Sequence, residues 1–146
     1  MQVKCGKVHK YLGITLDYTT VGQAKITMFD YIDEILNSFD KSDPTSGVTK
    51  SSSAPDIIFK VNEDCKKLNT KQSVEFHHLV EKILFPTKQA KPDTCTAVSL
   101  LTTILREPDN KDWANLVHLM KYNRGESNLP LTLSANGSGI LKICIG

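Results

Sequence analysis

No stretch of this sequence is apolar for long enough to cross a bilayer, and Met1 is not followed by the apolar core of a signal peptide. The expectation is an intracellular chain, cytoplasmic or nuclear, with no membrane partner. There is no C-x-x-C: Cys5, Cys65, Cys95 and Cys144 lie far apart and read as reduced thiols. Neither G-x-x-x-x-G-K-[ST] nor G-x-G-x-x-G occurs, so the two common glycine-rich phosphate cradles are excluded. Charge of one sign is scarce as well. A formal net charge of +2 is too small to announce a nucleic-acid or membrane partner by itself. The small excess sits early, where Lys4, Lys7, Lys10 and Lys25 face only Asp17 and Asp30 among the first thirty residues.

What is present is enough for one folded domain. The chain has 146 residues, 40% hydrophobic and 23% charged, close to the globular average. In "KYLGITLDY" (10–18), Leu12, Ile14, Leu16 and Tyr18 alternate with Tyr11, Gly13, Thr15 and Asp17, which predicts one half-buried strand. "TTVG" supplies a turn, and Ala24, Ile26 and Met28 alternate in a return strand. The period then changes: Phe29, Ile32, Ile35, Leu36 and Phe39 fall on a helical stripe. "DKSDPTSGVTKSSSAPD" has no periodicity and reads as a linker, followed by a short extended piece, "IIFKV".

Asn69 with Gln72 three residues on resembles a capping box, and Phe76, Leu79, Val80, Ile83 and Leu84 form the apolar face of the helix behind it. Pro86 is expected to stop or kink that helix. Asp93 is expected to cap the next one, with Ala97, Val98, Leu101, Ile104 and Leu105 on its core face. "EPDNKD" opens a further helix carrying Trp113, Leu116, Val117 and Met120, closed by a basic turn and a glycine at Arg124-Gly125. "LPLTLSANGSGILKICI" is two alternating segments around Asn136-Gly137, a hairpin signal. The fold class predicted is α+β: an N-terminal β-hairpin, a central helical bundle and a C-terminal β-hairpin.

The reactive side chains do not assemble into a site on sequence grounds. His77 and His78 are neighbours and point about 100° apart on a helix, so they cannot chelate together. His77 and Glu81 have the right spacing, but further local ligands are missing. No spacing supports Cys95 with His118 as nucleophile and base. Trp113 reads as a core anchor rather than a stacking platform for bases. Asp17, Asp30 and Asp33 fall in different elements, and surface solvation accounts for them.

The ordered landmarks nonetheless resemble a known family. "VHKYLGITLDYTTVGQAKITMFDYIDEIL" is similar to the segment after the catalytic core of reverse transcriptases from copia-type LTR retrotransposons, where a "YLG" strand, a turn, a second strand and a "YI..LL..F" helix follow one another. "APD" falls where that family has a Thr-Pro pair. "FHHLVEKILFPTKQAKPDTCTAV" resembles its "Y..LVGSLLYL...TRPDI.FAV", and "EPDNKDWANLVHLMKYNRG" its "P...HW.A.KRVLRYLKGT". The closing hairpin resembles the beginning of its RNase H domain. Pro86, Asn123 and Glu81 depart from the pattern: Pro86 interrupts the apolar helix, Asn123 replaces an apolar residue, and Glu81 stands where a small glycine is usual.

The resemblance implies residues 1–39 as the end of the palm with the primer-grip hairpin and first thumb helix, and 40–56 as a flexible linker. It implies 57–125 as a helical thumb and connection, and 126–146 as the first hairpin of a truncated RNase H-like domain. It also implies that the polymerase carboxylates lie upstream and that the first RNase H carboxylate falls after "LKICI". On that expectation the chain is a catalytically incomplete reverse transcriptase fragment, with no catalytic or metal residues and no cofactor, magnesium belonging to the intact parent. Its expected partners are an RNA–DNA or DNA duplex, bound weakly and without sequence preference, and, in the parent, the rest of the Pol polyprotein. Tyr11, Leu12 and Gly13 would be the primer grip, and Lys10, Lys25, Lys91, Lys121 and Arg124 would touch phosphates. Two rivals stand beside this reading: a host-adopted helical protein-interaction module, and a metal-dependent hydrolase using His77 and Glu81.

Overall fold

The computed structural model describes residues 6–40, 47–50, 65–135 and 141–145, the last stretch by its backbone alone. Most of the expected linker, the "IIFKV" piece and the Asn136-Gly137 turn lie outside the described residues. The architecture is α+β, with strands at both ends of the chain and helices between them. Strands β1 (Val8–Tyr11), β2 (Ile14–Asp17), β3 (Gln23–Thr27), β4 (Leu131–Ala135) and β5 (Leu141–Ile145) form one antiparallel sheet in that order.

The expected single strand over 10–18 is in fact two. Leu12 and Gly13 both adopt positive φ, 49° and 78°, and fold the chain back so that Tyr11 pairs with Ile14 and Lys10 with Thr15. Positive φ at both central residues is the backbone of a two-residue hairpin whose twist matches its strands. The apolar–polar alternation runs unbroken through this turn, which is why it reads as a continuous strand. Gly22, with φ 75°, makes the next turn, closed by the Gln23 N–H donating to the Thr20 carbonyl at 3.1 Å. The register then sets Ile26 between Leu16 and Leu131, while Lys25 stands between Asp17 and Thr132. The sheet therefore has an apolar and a polar face.

Helix α1 (Phe29–Asp40) buries Ile32, Ile35, Leu36 and Phe39 along the expected stripe. Helix α2 (Thr70–Gln89) begins at Asn69, whose side chain accepts the Gln72 N–H at 2.8 Å. Pro86 does not stop it. The proline sits in the last turn, the carbonyl deprived of a donor is that of the exposed Lys82, and the buried ring packs in the core. The N–H groups of Ala90 and Lys91 both donate to the Pro86 carbonyl and finish the helix.

A 3-10 turn, Pro92–Thr94, leads into α3 (Cys95–Thr103). Asp93 does not cap α3; its carboxylate instead accepts from the Tyr122 hydroxyl at 2.5 Å. Ile104 and Leu105, expected on the helix, lie just past its end and pack against the core from there. Helix α4 (Asn110–Gly125) has a complete capping box, with Asp109 accepting from the Lys111 and Asp112 N–H groups while Asp112 accepts from the Asp109 N–H at 2.9 Å. Gly125 is its last residue rather than a left-handed stop. A Cβ there would lie 2.3 Å from Val48 Cγ1, so any larger residue would have to displace the Val48 side chain.

Helix α2 contacts each of the other three helices, and a single core joins them through Phe39, Phe76, Val80, Val98, Leu116 and Met120. Ile14, Ile26 and Met28 attach the sheet to that core. The N- and C-terminal hairpins are not separate units: they pair with one another through β3 and β4. Register contacts four residues long turn two marginal ribbons into a five-stranded sheet.

Candidate nucleic-acid interface

The tip of the β1–β2 hairpin exposes two large side chains in succession. Tyr11 is 71% exposed and Leu12 68%, although both carry large apolar groups. Leu12 is also the one non-glycine residue with positive φ among the described residues. A bulky side chain in the left-handed region is disfavoured; the two-residue turn between β1 and β2 imposes that conformation on Leu12, whose side chain stays largely exposed. Gly13 meets the start of α1: a Cβ there would sit 3.6 Å from the Cβ of Tyr31. Tyr31 in turn stacks edge-on against Phe85 of α2, 5.5 Å between ring centres. The tip thus stands on a braced base.

The five expected phosphate contacts fall into different environments. Lys10 reaches Asp30 at 3.3 Å, both side chains exposed. Lys25 lies across from Asp17 in the sheet. Asp17 is itself held below the usual carboxylate range, first by the Thr19 hydroxyl and backbone N–H, with Lys25 adding a smaller electrostatic effect. Arg124 pairs with Asp40 and donates to the Gly47 carbonyl at 3.4 Å. Lys121 runs past Gly47, where an added Cβ would meet its Cε at 3.5 Å.

Lys91 must be withdrawn from the surface set. It is 3% exposed, its Nζ donates to the Glu126 carbonyl at 2.7 Å, and its ammonium lies 5.3 Å from the centre of the Tyr122 ring. Burial lowers its pKa, opposed by the nearby Asp93 and Glu126 charges. The same burial, reinforced by the hydrogen bond to Asp93, raises the Tyr122 hydroxyl well above its ordinary value. Lys91 therefore ties the corner after α2 to the end of α4. A lysine next to a proline and an aspartate reads as a surface corner from sequence, and no local signal distinguishes it from a buried one.

The rival sites do not gather either. His77 Nε2 and Glu81 Oε1 are 3.0 Å apart, and among the described residues no group of three or more His, Cys, Asp or Glu side chains is placed to hold a metal. Cys95 is exposed, with its Sγ 3.9 Å from Ser99 Oγ. Trp113 lies beside Phe39 and packs against the core. Asn123, the polar departure from the apolar pattern, is 2% exposed and satisfied by donating to the Leu119 carbonyl at 3.0 Å. No helix among the described residues is long and apolar enough to cross a membrane.

The structure thus brings Lys10, Tyr11, Leu12 and Gly13 together at one hairpin and leaves Lys25 on the polar face of the same sheet. Lys121 and Arg124 stand together elsewhere, at the end of α4. Exposed ion pairs such as Lys10–Asp30 are worth about 0–1 kcal/mol, so a phosphate can displace the carboxylate at little cost. Compared with family profiles, with curated proteins and with solved structures, the chain matches none.

Proposed function

We propose that this chain is a catalytically incomplete piece of a copia-type retrotransposon reverse transcriptase, and that what it retains is weak, sequence-blind binding to an RNA–DNA or DNA duplex inside the cell. The observation that carries the reading is the exposed Tyr11-Leu12 tip, with Leu12 held at positive φ. Backbone held out of its preferred region at an exposed tip is the kind of strain that accompanies a contact surface. Gly13 permits close approach of a sugar–phosphate chain, and Lys10 and Lys25 stand in the same sheet. The polymerase chemistry belongs to the parent, with its own carboxylates and magnesium.

The test is titration of a labelled RNA–DNA duplex at two ionic strengths. With about three phosphates neutralised, log K should fall with log salt at a slope of about −2.7. Tyr11→Ala with Leu12→Ala should weaken binding at both salt concentrations without changing that slope. Primer extension by the purified chain should be absent. Binding indifferent to salt, or extension above background, overturns the proposal.

A further inference from the structure

Residues 47–50 pass across the end of α4. There the guanidinium of Arg124 is taken up by oxygens of this same chain: Nη1 donates to the Gly47 carbonyl at 3.4 Å and Nη2 donates to Asp40 Oδ1. Guanidinium donors form a fork that suits two oxygens of one phosphate or carboxylate. Here two separate segments supply those oxygens. Val48 Cγ1 lies where a side chain on Gly125 would begin, and the Lys121 stem runs beside Gly47. The fastening is slight. Val48 remains 64% exposed, and the Gly47 bond is long. Asp40 is the last residue of α1, where the helix dipole disfavours a carboxylate. Its ion pair with Arg124 is partly open to solvent, which weakens it further.

We infer that residues 47–50, with Asp40, form an autoinhibitory strap on the end of α4. They occupy Arg124 and run alongside Lys121 in the place of a phosphate chain, and a phosphate chain engages these two cations only by displacing them. The inference takes its ligand class from the duplex-binding reading but concerns a surface separate from the hairpin. The acids near this helix end do not oppose it equally. Glu126 acts on the buried Lys91, and Asp40 is itself part of the strap. Once Asp40 is drawn away, Lys121 and Arg124 present two positive charges one helical turn apart.

The experiment adds inorganic tripolyphosphate to the intact protein and follows the backbone amides of Val48 and Thr49 by heteronuclear NMR. Both signals should shift on binding, and Asp40→Asn should bind tripolyphosphate at least threefold more tightly. Asp33→Asn, the same change of charge at another exposed position of α1, should alter that affinity less than twofold. In the duplex titration, Asp40→Asn and Val48→Gly should each steepen the salt slope by about 0.9 to 1.8, as one or two more phosphates are engaged. Both changes fall at exposed positions and leave the core intact. Unmoved Val48 and Thr49 signals, or equal gains from Asp33→Asn and Asp40→Asn, would overturn the inference. Duplex binding that needs Tyr11 and Leu12 but keeps its slope in both variants would overturn the strap alone. Tripolyphosphate that displaces the strap in a protein to which no duplex binds would support the strap and overturn the duplex reading instead.

Discussion

At the scale of single residues, polar groups placed inside the fold hold the corner between α2 and α3. The Thr87 hydroxyl donates to the Ile83 carbonyl at 2.8 Å and lies 3.0 Å from the Thr94 hydroxyl, which donates to the Lys91 carbonyl at 2.9 Å. Lys91 and Asp93 then fasten this corner to Glu126 and Tyr122 of the α4 end. Burial and Asp93 raise the Tyr122 pKa, so the folded protein keeps a proton that an unfolded tyrosine loses above its ordinary value of 10.0. The stability contributed by that proton is complete below pH 10 and falls as pH rises beyond it. Lys91 acts in the opposite sense, because its lowered pKa makes the unfolded chain the better proton binder just below 10.5. Comparison of the wild type with Tyr122→Phe removes the tyrosine contribution alone. Urea melts at pH 9 and pH 11 should show the wild type losing more stability than the variant across that interval. At pH 7 the variant should be weaker by about 1–2 kcal/mol, having left Asp93 without its donor. Equal pH slopes would refute the assignment.

At the scale of elements, legibility followed the range of the signal. The stripes of α1, α2 and α4 and the caps at Asn69 and Asp109 are written within a few residues of one another, and the structure uses them. The Leu12-Gly13 turn is equally local but was hidden, because apolar alternation continues through it and Leu is a poor turn residue. Asp93 has the chemistry of a cap and spends it on Tyr122, a partner 29 positions away. The site shows the same division: Tyr11 to Gly13 could be singled out as a unit, while the burial of Lys91 depends on a helix end far along the chain. The turn offers a direct trade between stability and contact. Asn is favoured where φ is positive at the first position of such a hairpin, so Leu12→Asn should raise stability by about 1 kcal/mol. It should also weaken duplex binding by removing an exposed apolar contact. Thermal melts and the duplex titration read both effects, and a variant that binds better while melting lower would contradict the trade.

For the whole molecule, one helical core supports a sheet attached to it through few side chains, so protection should be graded. Amide hydrogen exchange should be slowest in α2 between Phe76 and Ile83, where four buried side chains cluster on a helix packed against the other three. The inner strands β2 and β3 should come next, and β1, an edge strand with exposed side chains, should exchange fastest of the described strands. If β3 outlasted α2, the sheet rather than the helices would be the stable centre. The pairing of β3 with β4 also has a consequence during synthesis. Gln23 meets Ser134, so β3 leaves the ribosome with one edge open and waits while on the order of a hundred further residues are added before its partner exists. The helices emerge in between and can pack first. Ribosomes that stall or terminate before Leu131 would release chains with a bare β3 edge, and quality control would meet that edge as a template for aggregation.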